Sequence, residues 1–173
     1  QRLNAVLTNF LAMDLQRPDF EVGAVEERRP VRLGELELRC RLDRLDVVST
    51  GGSLEKLAII DYKTGKRGTP TDWLRDRPRD VQLPLYTLAV GDAVSATVIA
   101  LLRPEGVQYK GLSEQKGTFP GRATSLPEGR TWSTQLEVWR EQLENLAREF
   151  ASGDSRVFKS DLAPAAGPLA PLT

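Results

Sequence analysis

Apolar positions along the chain fall into two kinds of spacing. Leu3, Val6, Leu7, Phe10, Leu11 and Leu15 recur three and four residues apart, which predicts an opening amphipathic helix closed by Pro18. Phe20 to Glu26 and Val31 to Leu38 read as strands, the second running on into the next alternating segment. In that segment Leu36, Leu38, Cys40 and Leu42 alternate with Glu37, Arg39, Arg41 and Asp43, the pattern of a half-buried strand. The phase then slips, because Leu45 and Val47 occupy the positions that held charges; a bulge or strong twist near Asp43 and Arg44 is expected. Ser49 to Ser53 reads as a turn, and Leu57 to Lys63 as a central strand forming a hairpin with the previous one. Asp80 to Val90 has helical spacing with Leu85, Leu88 and Ala89 as its stripe, and Pro84 requires the helix to begin between Asp80 and Leu83. Ala96 to Leu102 is apolar throughout, as in a strand buried on both faces. Gly106 to Leu112 is read as an edge strand and Gly117 to Gly129 as loop. Ser133 is expected to cap a long helix striped by Leu136, Trp139, Leu143, Leu146 and Phe150, with Trp139 in the core.

These elements amount to one α/β domain with one core, which suits 173 residues of which 40% are hydrophobic. No apolar run is long enough to cross a membrane, and no signal-peptide pattern opens the chain. The sequence holds 24 basic and 24 acidic residues, which argues against a free-standing, strongly basic nucleic-acid module. Locally the balance differs: Lys63, Lys66, Arg67, Arg75, Arg77 and Arg79 outnumber Asp72, Asp76 and Asp80. Such a basic rim suits a phosphodiester, although a solvated loop of mixed charge reads the same way. The chain has no histidine, which excludes a Ser-His-Asp triad and a histidine base. Cys40 is the only cysteine, so no disulfide, zinc site or iron–sulfur cluster can form within one chain.

Chemistry concentrates at Asp61-Tyr62-Lys63-Thr64-Gly65. Residues i and i+2 of a strand share a face, so Asp61 and Lys63 project together and Tyr62 points away. A carboxylate can hold a divalent cation, and a neighbouring ammonium can steady an attacking hydroxide or developing phosphorane charge. Asp43, across the hairpin, would add a second carboxylate. Gln82 and Tyr86, four residues apart, share one helical face and present an amide and a phenol. Alone, each of these has a plainer reading: a solvated strand end, or an ordinary amphipathic helix.

Together, Arg41-Leu42-Asp43-Arg44-Leu45-Asp46, Asp61-Tyr62-Lys63-Thr64-Gly65 and Gln82-Leu83-Pro84-Leu85-Tyr86 resemble the PD-(D/E)xK nuclease superfamily, in its RecB- and AddB-like branch. Trp73 to Pro78 also looks like the segment that precedes the QxxxY motif there. The resemblance implies a restriction-endonuclease-like core, a central mixed β-sheet flanked by α-helices. It implies a metal-dependent DNA nuclease of exonuclease type in repair and recombination. Asp43, Asp61 and Lys63 would be catalytic. Asp43, Asp61 and the Tyr62 carbonyl would hold Mg²⁺ or Mn²⁺, and Lys63 would orient or activate water. Gln82, Tyr86, Arg41 and Lys66 would line the site or touch DNA. The implied partners are DNA and a helicase-like parent polypeptide or helicase subunit, in the cytoplasm and with no membrane. The chain departs from the branch in lacking its upstream helical histidine or glutamate ligand and its cysteine cluster. The expectation is therefore a nuclease domain over residues 1–152 excised from a longer protein, with a Pro/Ala-rich tail over 153–173. The alternative is a catalytically silent nuclease-like module that binds DNA or serves as a scaffold.

Overall fold

The computed structural model describes residues 2–49, 55–65 and 69–154. A six-stranded sheet runs in sequence order: β1 (Phe20–Leu33), β2 (Leu36–Val48), β3 (Lys56–Lys63), β4 (Val94–Arg103), β5 (Gly106–Ser113) and β6 (Gly121–Ser125). β3 and β4 pair in parallel, as do β5 and β6, and the other neighbours are antiparallel, so the sheet is mixed. α1 (Arg2–Asp14) covers one face. The short α2 (Pro70–Trp73), α3 (Gln82–Val90) and α4 (Trp132–Ala151) lie on the other. Among the described residues, no helix is long and apolar enough to cross a membrane.

β4 explains the two-sided packing. Val94 to Ala100 are buried on both faces: Ile99 and Leu101 pack with the α3/α4 side, while Ala96, Val98 and Ala100 pack with Phe10 of α1. β5 is not the edge expected from the sequence. Part of the segment read as loop forms β6, which takes that place. β5 also approaches β4 closely at Gly111, where a Cβ would lie 2.2 Å from the Thr97 carbonyl oxygen. On the far side of the sheet, Gly34 (φ 59°) reverses the chain between Leu33 and Leu36, so β1 and β2 form a long hairpin where a continuous strand was expected.

The faces of this hairpin exchange at Glu26 and Asp43. Cys40 and Leu42 share a core with Leu45 although their alternation phases differ, and Val31 and Leu33 share it with Ala24. The register is unchanged across the switch, Val25↔Arg44 and Glu27↔Leu42, so both strands take one irregular residue at the same point. Glu26 sits there at φ 53°, the one non-glycine residue with positive φ among those described. This is the slip that the positions of Leu45 and Val47 announce.

α4 begins at Thr131, two residues before the expected cap. The Thr131 hydroxyl accepts from the Thr134 N–H at 3.2 Å, and the Thr134 hydroxyl accepts from the Thr131 N–H at 3.0 Å. Leu136, Trp139, Leu143 and Leu146 of its stripe pack into the core with α3 and the sheet, but Phe150, expected to continue the stripe, is exposed because it lies in the last turn beyond that contact. Trp139 is fully buried, and its indole N–H donates to the Trp73 carbonyl at 2.8 Å.

α1 departs further from the sequence reading. Its inward face carries Phe10 and Asp14, while Leu3, Leu7, Leu11 and, just beyond the helix, Leu15 are exposed. The helix is turned this way by polar anchors that hydropathy does not reveal. Asp14 accepts from Tyr109 Oη at 2.7 Å and from Arg17 Nη1 at 2.8 Å, both bonds buried. Arg17 reaches on to Asp46 (2.8 Å), and its guanidinium lies over the rings of Phe20 (3.9 Å) and Phe119 (4.3 Å). Arg44 closes the group, forking onto Asp46 at 2.6 and 2.9 Å and reaching Asp14 at 3.1 Å. Burial raises the Tyr109 phenol well above its ordinary range, helped by Asp14. Burial also works against ionised Asp14, but its bonds to Arg17 and Tyr109 and the charges of Arg17 and Arg44 bring its pKa below the ordinary carboxylate value.

Candidate active site

β3 carries its carboxylate into a depression between the sheet and α3. Ile59 and Asp61 alternate with Ile60 and Tyr62, so Asp61 turns toward α3 and Tyr62 toward α1. Asp61 is buried, its side chain 2% exposed, and Lys63 is partly open at 31%. Lys63 Nζ lies 2.9 Å from Asp61 Oδ2. That approach is out of line for a hydrogen bond, leaving Asp61 Oδ2 a buried oxygen with a charge partner but no aligned donor. The other oxygen, Oδ1, accepts from Gln82 Nε2 at 2.9 Å.

Gln82 joins the group together from the first turn of α3. Its Oε1 accepts from Lys63 Nζ at 2.8 Å, and its Nε2 also donates to Tyr86 Oη at 3.0 Å. Both amide hydrogens are therefore engaged. The i, i+4 spacing brings Gln82 and Tyr86 onto one face as the sequence predicts.

Asp43 arrives by a different route. The β2–β3 ladder stops at Arg44↔Ile60, one step before Asp43 and Asp61 would pair. There the Asp43 carboxylate takes the place of a backbone acceptor: Oδ2 receives the Tyr62 N–H at 2.9 Å. The strands separate at this point, and the cleft opens between them and α3.

Charges set the character of the pocket. Burial raises the Asp61 pKa; Lys63 works against this, while the negative charges of Asp43 and Asp80 add to it, and the net shift is upward. Burial would lower the Lys63 pKa, but Asp61, Asp43 and Asp80 outweigh it, so the ammonium is held protonated above its ordinary value. Three carboxylates, Asp43, Asp61 and Asp80, thus act on one another and on Lys63, and a cation beside Asp61 would relieve their mutual repulsion.

Of the residues singled out in the sequence, Asp61, Lys63, Gln82 and Tyr86 form one hydrogen-bonded and ion-paired group, and Asp43 abuts it through Tyr62. Arg41 lines the cleft, but its guanidinium is ion-paired with Glu26. Lys66 lies outside the described residues. Arg39 also lines the cleft and carried no functional reading in the sequence, as do Arg79 and Asp80, named there only as charges of the basic segment. Asp80 Oδ1 accepts the Gln82 N–H at 3.1 Å, fixing the start of α3. An acid two residues ahead of Gln82 at a helix entry was the available signal.

A family model for the PD-(D/E)XK nuclease superfamily matches residues 1–161. The chain belongs to this superfamily. No curated protein matches it. For a PD-(D/E)XK nuclease the α/β core is the restriction-endonuclease-like arrangement, with a mixed sheet between helices. Nucleases of this superfamily generally use divalent metal ions such as Mg²⁺. The residues present fit such an ion. Asp61 Oδ2 is buried without an aligned donor, a second carboxylate is adjacent, and both offer the hard oxygen that Mg²⁺ and Mn²⁺ prefer. Among the described residues, no three histidine, cysteine or acidic side chains stand close enough to hold a metal by themselves. Backbone oxygen and water would have to complete the shell.

Proposed function

We propose that this PD-(D/E)XK domain is a Mg²⁺- or Mn²⁺-dependent DNA nuclease of the RecB/AddB-like branch. It hydrolyses phosphodiesters exonucleolytically during repair and recombination, as part of a helicase-like parent or complex. One observation carries the reading: three separated motifs converge, with Asp61, Lys63, Gln82 and Tyr86 joined and Asp43 bonded to the peptide between Asp61 and Lys63. Asp43 and Asp61, with the Tyr62 carbonyl, would hold the ion. The ion would supply Lewis acidity toward the phosphate and acidify water. Lys63 orients or activates the attacking water and, as an ammonium, offers its charge to the phosphate. Gln82 fixes Lys63 against Asp61. Arg39, Arg41 and Arg79 form the phosphate-facing rim, with Arg41 exchanging Glu26 for substrate. The domain takes in residues 1–152.

A second reading is a silent DNA-binding or scaffolding module. It is favoured by the lack of a third side-chain ligand among the described residues. Calorimetry with Mn²⁺ on the chain and on Asp61→Ala, followed by digestion of linear DNA with Mg²⁺ or Mn²⁺, separates the two. Metal binding lost in Asp61→Ala together with cleavage supports the enzyme. DNA binding with neither metal binding nor cleavage supports the silent module and sinks the nuclease reading for this chain.

A further inference from the structure

Tyr62 is held from both faces of the sheet by consecutive residues of β2. On the cleft side, Asp43 accepts its backbone N–H at 2.9 Å. On the α1 side, Arg44 Nη1 lies 3.3 Å from its phenol oxygen, and its ring packs edge-on against Phe10 with centroids 5.5 Å apart. Arg44 is not a mobile side chain that happens to reach this far. It is 6% exposed, its Nε and Nη2 are forked onto Asp46, and Nη1 also bonds Asp14. Asp14 and Asp46 are in turn held by Arg17, and Asp14 by Tyr109. A planar guanidinium pinned by two carboxylates is a rigid strut.

The strut ends on the residue between Asp61 and Lys63. The geometry points to Arg44 as a positioning residue for the cleft: through the Tyr62 phenol it fixes the peptide that joins Asp61 to Lys63 and that Asp43 holds from the other side. This rests on reading Asp43, Asp61 and Lys63 as the reactive group. It assigns the buried ionic cluster a task beyond fastening α1: besides the backbone ladder that joins Arg44 and Asp46 to Ile60 and Ala58, its side-chain bond to β3, among the described residues, lands between the two residues whose spacing matters most. Lysine cannot substitute for Arg44, since an ammonium has no fork with which to hold Asp46 while reaching Tyr62.

The test is Tyr62→Phe, which removes one hydroxyl and keeps the ring on Phe10, with Arg44→Lys beside it. Amide hydrogen exchange is followed by NMR on the metal-free full chain, and Mn²⁺ affinity by calorimetry. In Tyr62→Phe, exchange at the amides of residues 61–63 should accelerate by about tenfold relative to β4 amides such as Val98, as expected for losing a bond to a charged group. Mn²⁺ affinity should fall with it, and Arg44→Lys should show the same local signature. A purely structural role predicts instead a uniform change across the sheet. Exchange at residues 61–63 that keeps pace with β4 in Tyr62→Phe would overturn the proposal, whether or not metal binds. Failure of the nuclease reading is seen separately, as no difference in Mn²⁺ binding between the unaltered chain and Asp61→Ala.

Discussion

Replacing Asp46 by alanine would leave two guanidinium groups, Arg17 and Arg44, sharing Asp14 as their one carboxylate inside the α1 layer. Asp46 is fully buried and accepts three charge-assisted bonds, from Arg44 at 2.6 and 2.9 Å and from Arg17 at 2.8 Å. Removing one partner of a buried ion pair costs about 3–5 kcal/mol, mostly because the remaining charge is left uncompensated. Here the remaining contacts are good. Arg17 keeps Asp14 and the faces of Phe20 and Phe119, and Arg44 keeps Asp14 and Tyr62. The loss should therefore fall at the lower end, about 3 kcal/mol. A domain of this length loses roughly 2–4 °C in Tm per kcal/mol, so the midpoint should drop by about 6–12 °C. Urea unfolding followed by tryptophan fluorescence measures the free energy, with buried Trp73, Trp132 and Trp139 as reporters. A loss below about 1 kcal/mol, the value of an exposed pair, would refute the reasoning and mean that water reaches the cluster. Combining Asp46→Ala with Arg17→Ala should cost less than the sum of the two single changes, because the second removes a charge that the first stranded.

Gln82→Ala removes the donor to Asp61 and the acceptor of Lys63, and should lower Mn²⁺ affinity or turnover by about 10–100-fold, the usual effect of a lost outer-shell ligand. Metal binding needs ionised Asp61, whose pKa is raised, so Mn²⁺ affinity of the unaltered chain should climb with pH through a midpoint above the ordinary carboxylate value. Gln82→Ala should move that midpoint higher, and calorimetry from acid to neutral pH would show it. The linkage has the opposite sign for metal-free stability: a raised pKa makes Asp61's contribution full below the unfolded value and lost as pH rises through the folded one. In β5, Gly111→Ala would drive a Cβ into the backbone of β4, 2.2 Å from Thr97 O and 2.5 Å from Val98 Cα. It should destabilise by about 1–3 kcal/mol or more, as over-packing does, and an unchanged denaturation midpoint would count against the close β4–β5 approach.

The part of the fold that alternation and helical spacing encode was legible. Asp61 and Lys63 share a face because a strand has period two, Gln82 and Tyr86 share one because a helix has period 3.6, and the exchange of faces at Asp43 is written in Leu45 and Val47. What stayed hidden depends on partners distant in sequence. The orientation of α1 contradicts its leucine pattern because Asp14 and Arg17 find Tyr109 and Asp46 across the sheet, and buried ion pairs leave no periodic trace. Arg44 and Asp46 likewise read as surface charges on an alternating strand but are buried. β6 escaped notice because five residues among turn-formers look like loop until β5 offers an edge to pair with. Asp80 was visible as a charge at a helix entry, but its influence on Asp61 and Lys63 appears only once α3 is set against β3.

The sequential order of the strands bears on how the molecule assembles in time. Every strand pairs with its neighbour in the chain, and the cleft draws Asp43, Asp61, Lys63, Gln82 and Tyr86 from β2, β3 and α3, with the short α2 alone between the last two. Closing loops this short carries little entropic cost, so the cleft face can organise from contacts made early. The α1 layer is different. Its bond from Tyr109 to Asp14 spans 95 residues, and the desolvation of four charges is compensated only when all of them meet. Nucleation on the cleft side and late docking of the first helix is the expected order. It places the amino-terminal segment among the last pieces of the molecule to become native, and among the first to leave when it unfolds.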